Sequence, residues 1–307
     1  MSPKTRYVAA VLGLAFAASF AIAAPSTSGA VSALDSEGRS ISLKTTATRI
    51  VSLSPAITET LFAIGAGGAV VGVTTYCDFP SQALALPKVG GFSAKTISVE
   101  KIIALKPDLV VSSGSIHKAV EESLARLGVA VFSYAPDTFA DIARDMSALG
   151  SLSGTRESAE RSARAMIDTI ASIAATLASV KAGDRPSVFW EIYEDPLMTA
   201  GSATFQHSIV EAGGGRDIFS DLPGSWPRVS AEEVLRRAPA YIMGADDHGD
   251  KMSVAQIAAR PGWSNVPAVR DGRIVLIPAS IVSRPSPRIA QGVLAVAKAL
   301  YPGLFGR

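Results

Sequence analysis

Two segments of the sequence repeat one pattern of residue types. Residues 98–111 read SVEKIIALKPDLVV and residues 230–243 read SAEEVLRRAPAYIM, so each begins with serine, has glutamate third and proline tenth, and ends in an apolar run. Serine before a helical pattern predicts an N-cap, which places Glu100 and Glu232 in the first turns of two helices. A carboxylate there complements the helix dipole by about 0.3–1 kcal/mol. Two carboxylates at matched places also suit paired docking points for a partner with two similar halves, and the residues alone leave both interpretations open.

An aromatic residue stands on the loop before each of these helices. Phe92 lies in KVGGFSAKT and Trp226 in DLPGSWPRV, two stretches rich in glycine, serine and proline. Loops of this composition usually run over the surface. Two such rings facing each other across a cleft suit a flat apolar ligand, and each ring contributes about 0.5–1.5 kcal/mol beyond burial. Packing of the same rings in a core is the alternative.

Three histidines and two aspartates raise the question of a metal or haem site. Each histidine follows a predicted strand, at the edge where open α/β sheets bind ligands. The residues concerned are His117, His207, His248, Asp246 and Asp247, with Tyr76 as a further candidate ligand. No two histidines have the short spacing of a preassembled metal motif. We therefore expect ordinary surface histidines and no resident metal or cofactor, and we keep haem ligation by Tyr76 or a histidine as an alternative.

The sequence contains no recognisable catalytic motif. Gly65-Ala66-Gly67-Gly68 follows a predicted helix and not a strand, so it predicts a helix end instead of a dinucleotide loop. No GxSxG, HExxH or phosphate-binding loop occurs. Cys77, the single cysteine, has no partner signature nearby and is interpreted as a spectator thiol. We expect a binding protein. An enzyme is the alternative from a different class, and it would need a catalytic pair converging in a cleft.

The elements around these residues alternate between short aliphatic strands and helices, which is typical of α/β lobes with mostly parallel sheets. Residues 24–150 and 184–307 each show this alternation. Between them, residues 151–183 contain a helical pattern from Thr155 to Lys181, and these 27 residues without Pro or Gly predict a helix of roughly 40 Å. The segment SAEE additionally matches a capping box. The predicted fold is two α/β lobes joined by one long α-helix, with a ligand cleft between the lobes.

The chain begins with a predicted secretory leader. Lys4 and Arg6 precede an apolar run from Val8 to Ala23 that is shorter than the roughly 20 residues a membrane span needs. We therefore expect residues 1–23 to be cleaved and the mature protein to be exported to the periplasm. Loss of the leader leaves 27 of the 29 basic residues against 27 acidic ones, and this balance argues against nucleic-acid binding. A single cysteine allows no internal disulfide.

The order of several motifs makes the chain resemble a known family. The helical-linker class of periplasmic solute-binding proteins has a similar series, represented here by RIVSLSPAITETLFAIG, VGVTTYCDFP, SVEKIIALKPDLVV, the long helix, GSWPRVSAEEVLRRAPAYI and SRPSPRI. The resemblance spans Arg49 to Leu300 and is greatest to the members that carry vitamin B12. The class delivers vitamin B12, iron-siderophores, haem or metal ions to ABC importers. The resemblance thus implies a small-molecule ligand and an inner-membrane permease dimer as partners, and we expect a monomer.

The resemblance also implies roles for individual residues. In the family, the first-turn glutamates of the two lobes engage arginines on the two permease subunits, and Glu100 and Glu232 match them by position. The corrin ring is implied to lie in the interlobe cleft against Tyr76 and Trp226. Arg284, before the segment PSPRI, matches an arginine of the ligand site.

Two positions differ from the B12-carrying members. Phe92 stands where they have a larger aromatic residue, and Ser113 where they have another tryptophan. Tyr193 and Phe205 are candidates to replace these stacking surfaces, or are core residues. We predict cobalamin or a related corrinoid as the ligand, with haem, an iron-siderophore or a metal ion as alternatives. The predicted ligand-binding residues are Tyr76, Phe92, Tyr193, Trp226 and Arg284.

Overall fold

The computed structural model describes residues 29–246 and 253–306. The predicted leader over residues 1–23 lies outside these ranges, as do Asp247 and His248. None of the helices within the described ranges combines the length and the apolar character that a membrane crossing requires.

The strands are short, and most are separated by helices. The strands are β1 Val31–Leu34, β2 Ser40–Leu43, β3 Ile50–Ser52, β4 Val70–Gly72, β5 Leu109–Ser112, β6 Val131–Ser133, β7 Ser187–Tyr193, β8 Met198–Thr199, β9 Arg216–Asp217, β10 Tyr241–Ala245 and β11 Ile274–Ile277. The helices are α1 Pro55–Ala63, α2 Val99–Ala104, α3 Lys118–Arg126, α4 Phe139–Ser153, α5 Arg156–Thr176, α6 Phe205–Ala212, α7 Ala231–Arg237, α8 Val254–Ala258, α9 Pro267–Arg270, α10 Ala279–Val282, α11 Ile289–Leu300 and α12 Pro302–Phe305.

Two separate sheets define two lobes. The N-terminal lobe has the strand order β4-β3-β5-β6, and every neighbouring pair is parallel. The C-terminal lobe has the order β11-β10-β7-β8, with β9 also paired to β7; only the β7–β8 pairing is antiparallel. The hairpin β1–β2 forms a small sheet of its own. The predicted two-lobed α/β fold with mostly parallel sheets is confirmed.

One apolar core runs through both lobes. Successive residues of a strand face opposite sides of a sheet, so on β5 Leu109 and Val111 enter this shared core whereas Val110 joins a second core on the other face. The shared core continues along α5 and includes Met243 on β10 in the other lobe. Ile242, its neighbour, belongs to a third core that is confined to the C-terminal lobe. Each sheet is therefore covered on both faces, as parallel sheets require.

The connecting helix α5 is shorter than predicted. It begins after Thr155, as expected, but ends at Thr176 after 21 residues, or about 31 Å, and a short 3₁₀ turn follows at Leu177–Ser179. Val180 then adopts an extended backbone that leads toward β7. The sequence has no proline or glycine to mark this end, and Leu177, the residue directly after it, is buried in the shared core. The helix packs along α4 in one lobe and α11 in the other.

The two repeated segments fold alike. The Ser98 hydroxyl accepts the backbone N–H of Lys101 at 3.2 Å and caps α2, and the Ser230 hydroxyl accepts that of Glu233 at 3.2 Å and caps α7. Glu100 is exposed in the first turn, as is its counterpart on α7. The serine caps predicted for both copies are confirmed.

The capping box predicted at the second copy is only half formed. Its serine half is present, but the Glu233 carboxylate accepts hydrogen bonds from Arg236 Nε at 2.8 Å and Arg237 Nε at 2.6 Å. These two arginines lie three and four residues further along α7, on the face that Glu233 occupies. The Glu233 carboxylate therefore binds these guanidinium groups, whereas in a capping box it would accept the backbone N–H of Ser230.

The two copies also share an unusual backbone conformation. Lys106 (φ 48°) and Ala238 (φ 45°) are the non-glycine residues with positive φ in the described ranges, and each directly precedes the proline of its copy. Both side chains are exposed. A residue with a Cβ in the left-handed region costs about 1–2 kcal/mol.

We expect Ala238→Gly to stabilise the protein by about 0.5–1 kcal/mol. Glycine removes the strain of the left-handed backbone, and this gain is larger than the conformational entropy that glycine loses on folding. Urea denaturation measures the change in free energy of unfolding. The matched control is Ala165→Gly, at an exposed position within α5, which should destabilise by about 1 kcal/mol. Equal losses for both variants would contradict the strain at Ala238.

A cleft between the two lobes

A cavity of about 1210 Å³ lies between the lobes. Loops that follow β3, β4, β5 and β6 form one wall, and loops that follow β10 and β11 form the other. The carboxyl edges of both parallel sheets therefore meet at this space, which is where open α/β sheets bind ligands. The cavity is larger than most small-molecule pockets, whose volumes are about 300–1,000 Å³.

The structure brings three of the five predicted ligand-binding residues into this cavity. Tyr76 and Phe92 line the N-terminal wall with relative exposures of 60% and 40%, and Arg284 lies on the opposite wall. Large apolar rings left this exposed at a cleft are available to a ligand. Ser113, where related proteins are expected to have tryptophan, also lines the cavity.

Tyr193 and Trp226 lie outside the cavity lining, on exposed parts of the C-terminal lobe. Trp226 belongs to the loop that pairs with residues 198–201 through backbone hydrogen bonds. Their contact with a ligand stays a prediction. Phe205 is partly buried, packs against Phe139 of the other lobe with ring centroids 6.0 Å apart, borders the shared core and is not part of the cavity lining.

Arg284 holds two carboxylates of the opposite lobe. Its Nη1 donates to Glu59 Oε1 at 2.8 Å and to Asp78 Oδ1 at 2.6 Å, and its Nη2 donates to Asp78 Oδ2 at 3.2 Å. The Arg284 guanidinium hydrogen bonds lower the pKa of Asp78, against a smaller opposing effect of burial. Sequence reasoning identified Arg284 but missed both carboxylates, although Asp78 lies two residues after Tyr76 in the TTYCDFP segment.

Glu59 is the buried centre of this cluster. Its side chain is 1% exposed and projects from α1. Oε1 also accepts Arg288 Nη1 at 3.2 Å, and Oε2 accepts the Ser286 hydroxyl at 2.7 Å. Arg288 in turn covers the Phe79 ring, with its Cζ 4.0 Å from the ring centroid. We call Glu59, Asp78, Arg284, Ser286 and Arg288 the interlobe ion cluster; its two cations balance its two anions.

Tyr134 adds a second connection between the lobes at the floor of the cavity. Its hydroxyl donates to the backbone oxygen of Pro285 at 2.7 Å and lies 3.2 Å from the Thr60 hydroxyl. Burial raises the pKa of Tyr134, so the phenol stays protonated and keeps this donor. The ion cluster and this hydrogen bond together fix the C-terminal wall against the N-terminal one.

His117 supports the aromatic wall from behind. The ring is buried, the backbone N–H of Ser113 donates to its Nδ1 at 2.9 Å, and its Nε2 lies 2.7 Å from the Phe92 carbonyl oxygen. Because Nδ1 accepts, the proton of the neutral ring lies on Nε2 and is donated to Phe92. The Phe92 and His117 rings meet edge to face at 5.7 Å. The histidine was predicted to be a surface residue, and this was wrong because the Phe92 loop covers it.

The described charged group that faces His117 is Glu121 on α3. Burial lowers the pKa of His117, and the Phe92 carbonyl and the Glu121 charge only partly oppose that shift. A folded-state pKa below the unfolded value of 6.5 gives stability that is present above that value and is lost as the pH falls through the folded pKa. Protonation would also turn Nδ1 into a donor facing the Ser113 N–H.

We therefore expect the free energy of unfolding to fall as the pH drops below about 6.5, and His117→Asn to flatten part of that slope. Urea denaturation at a series of pH values, compared between wild type and variant, separates this histidine from the other titrating groups. Parallel slopes in the two proteins would show that His117 does not contribute.

The other histidine of the described residues, His207, and the single cysteine, Cys77, lie in different lobes. His207 Nδ1 lies 2.9 Å from the buried Asp217, in the C-terminal lobe and away from His117. The Cys77 thiol is buried and lies 3.1 Å from the hydroxyls of Thr58 and Thr74. Across residues 29–246 and 253–306, no group of three or more His, Cys, Asp or Glu side chains is placed to hold a metal ion.

The two first-turn glutamates lie at the ends of the lobes that carry the cavity. In a parallel α/β lobe, a helix that leads into a strand begins at the carboxyl edge of the sheet; α2 leads into β5 and α7 leads into β10. Hydrogen bonds from the backbone and from the N-cap serine lower the pKa of Glu100 and of Glu232 in the same way. Both carboxylates are thus charged, exposed and held by the same local contacts.

Two α/β lobes joined by a helix, with a ligand-sized cavity between facing carboxyl edges, define a two-lobed binding protein of the helical-linker type. Residues 50–281 match the model of a family described as periplasmic binding protein. The chain belongs to this family.

Individual relatives share most of their length with this chain. An uncharacterized ABC transporter substrate-binding lipoprotein of Bacillus subtilis is 28% identical over 276 residues, covering 88% of this chain and 85% of the relative. A vitamin B12-binding protein of Salmonella typhimurium is 33% identical over 256 residues, covering 83% and 90%. The solved structure of a periplasmic heme-binding protein from Roseiflexus sp. RS-1, in apo form, has a TM-score of 0.73 at 25% identity and covers 82% of this chain and 97% of its own.

Proposed function

We propose that this protein is the capture component of an ABC importer and carries cobalamin or a related corrinoid. The observation that carries this proposal is the cavity of about 1210 Å³, walled by Tyr76, Phe92 and many small residues, both polar and apolar. That space is far larger than a metal ion needs and suits a macrocycle. The resemblance to a vitamin B12-binding protein over 83% of the chain supports the same ligand class.

The charges around the cavity favour an uncharged, amide-bearing ligand. Asp78, Asp137 and Asp246 line the cavity, and Arg284 is the basic residue of the described lining. Its charge is already met by carboxylates. The propionates of haem and the anionic chelating groups of many siderophores would face repulsion here. The amide side chains of a corrinoid both donate and accept, so aspartate and serine oxygens pair with them.

Haem is the second candidate. Tyr76 lines the cavity with 60% exposure, and a phenolate is a known axial ligand for haem iron. The likeness to a heme-binding protein at a TM-score of 0.73 supports the same alternative. The lining described above provides haem with no unpaired cation for its propionates, and corrinoid capture remains the proposal for that reason.

The proposal includes the partner and the place of action. Glu100 and Glu232 dock the protein on a permease dimer in the inner membrane, one glutamate for each subunit. The protein acts as an exported monomer in the periplasm and releases its ligand unchanged. The matched caps, exposure and pKa shifts of the two glutamates support a partner with two similar halves.

Titration calorimetry of the full mature chain tests the ligand. We expect heat with cyanocobalamin at one molecule per protein and no saturable heat with haemin. No heat with cyanocobalamin, together with a Soret band on addition of haemin, would replace the corrinoid by haem. Mass spectrometry of the ligand recovered after incubation should return the compound unchanged, whereas a new product would indicate an enzyme.

A further inference from the structure

Asp78 differs from the other acidic residues of the cavity in its partner. Its two oxygens face the two terminal nitrogens of Arg284 at 2.6 and 3.2 Å, in the paired geometry that binds carboxylates best. Arg284 also donates to the buried Glu59 on its inner side. Both terminal nitrogens of Arg284 thus donate to Asp78, so a ligand carboxylate cannot take this paired contact while Asp78 stays in place.

The exposures of these groups show which contact a ligand can replace. Glu59 is 1% exposed and is held by Ser286 and Arg288 as well, whereas the Asp78 side chain is 59% exposed and lines the cavity. A ligand carboxylate that reaches Arg284 must displace Asp78 or accept its repulsion. With Asp78 in place, the interlobe ion cluster has no net charge; without it, one positive charge remains at the cavity.

We propose that Asp78 determines ligand selectivity by occupying Arg284 and thereby rejecting ligands that carry carboxylates in favour of ligands that carry amides. The inference rests on the proposed function, since it concerns the choice among ligands of that cavity. Asp78 acts as an internal competitor: it presents to Arg284 the same carboxylate that an acidic ligand would bring. The neutral amide groups of a ligand do not need to displace Asp78 from Arg284, so ligands that carry amides bind while the interlobe ion cluster stays intact.

Two corrinoids of matched shape test this. Dicyanocobinamide carries amides around its ring, and dicyanocobyrinic acid carries carboxylates at the equivalent places. We expect Asp78→Asn to tighten binding of dicyanocobyrinic acid by about tenfold, the value of one charge-assisted hydrogen bond, and to change binding of dicyanocobinamide by less than about threefold. Calorimetry with the full mature chain gives both dissociation constants.

Asp137→Asn is the matched control. Asp137 also lines the cavity, and its substitution removes the same charge without uncovering Arg284. Because Asp137 contributes repulsion but covers no guanidinium, we expect this variant to move the preference toward dicyanocobyrinic acid by no more than about twofold. An equal effect of both substitutions would mean that overall charge decides selectivity and would overturn the proposal, as would an Asp78→Asn variant that keeps the wild-type preference.

Failure of the proposed function has a different signature. If the wild-type protein binds neither corrinoid and binds haemin, corrinoid capture is wrong, and haemin and its uncharged dimethyl ester then become the test pair. The selectivity proposal expects Asp78→Asn to tighten haemin alone. If Asp78→Asn tightens the binding of both porphyrins equally, or of neither, the selectivity proposal is contradicted.

Discussion

Replacement of Glu59 by alanine should lower the free energy of unfolding by about 3–5 kcal/mol, because two arginines lose their buried partner at the boundary of the lobes. Glu59 is 1% exposed and accepts from Arg284, Arg288 and Ser286. Its removal leaves Asp78 as the single carboxylate of the interlobe ion cluster. Urea denaturation of wild type and variant measures the loss. Glu59→Gln keeps the shape of the side chain but removes its charge, so we expect it to destabilise the protein almost as much as Glu59→Ala does.

A surface glutamate provides the comparison. Glu157 faces Arg161 at 3.8 Å, and the two side chains are 93% and 72% exposed. We expect Glu157→Ala to change the free energy of unfolding by less than about 1 kcal/mol, because exposed ion pairs contribute little. If Glu59→Ala were as mild as this control, the cluster would not hold the lobes together.

The second large effect concerns transport. We expect the double charge reversal Glu100→Lys with Glu232→Lys to reduce ligand uptake to background and to leave ligand affinity within about twofold. If the permease presents cations to these glutamates, as the proposed docking requires, the reversed charges would repel them, and like charges brought together at an interface cost several kcal/mol. Uptake by cells or by permease vesicles supplied with purified protein gives the first quantity, and calorimetry gives the second.

A control pair must carry the same charge change elsewhere. Glu157 is another exposed first-turn glutamate, on α5, and Glu122 is exposed on α3. Glu122→Lys with Glu157→Lys should leave uptake near the wild-type rate. Loss of uptake in both double variants would show that total charge matters and not position, and loss of ligand affinity in the first would place the glutamates in folding or in the cleft.

Local signals explain how much of the fold is predictable from the sequence. Strand and helix alternation, the Ser98 and Ser230 caps and the two lobes depend on neighbouring residues, and the structure confirms them. No proline or glycine marks the end of α5 at Thr176, so the helical pattern of the sequence alone predicts a helix that is too long. The Glu233 side chain was assigned to a capping box because the pattern cannot show that two arginines of the same helix compete for it.

The candidate site is less predictable because its contacts join distant parts of the chain. Glu59 lies 225 residues from Arg284, and its only local signal is a glutamate inside an apolar helix segment. Asp78 is 206 residues from the same arginine. Phe92 is predictable because an aromatic residue on a glycine-rich loop is recognisable without a partner, whereas Tyr76 follows from the family resemblance of the TTYCDFP segment. The burial of His117 depends on the Phe92 loop, which sequence spacing does not reveal.

The apolar core that passes along α5 makes the two lobes a single thermodynamic unit. Ala163, Met166 and Ile173 pack within one cluster that reaches both sheets. If either half of the chain were expressed separately, the apolar face of α5 would be exposed to water. Heating should accordingly produce one calorimetric peak and not two. Damage to either lobe therefore lowers the melting point of the whole molecule.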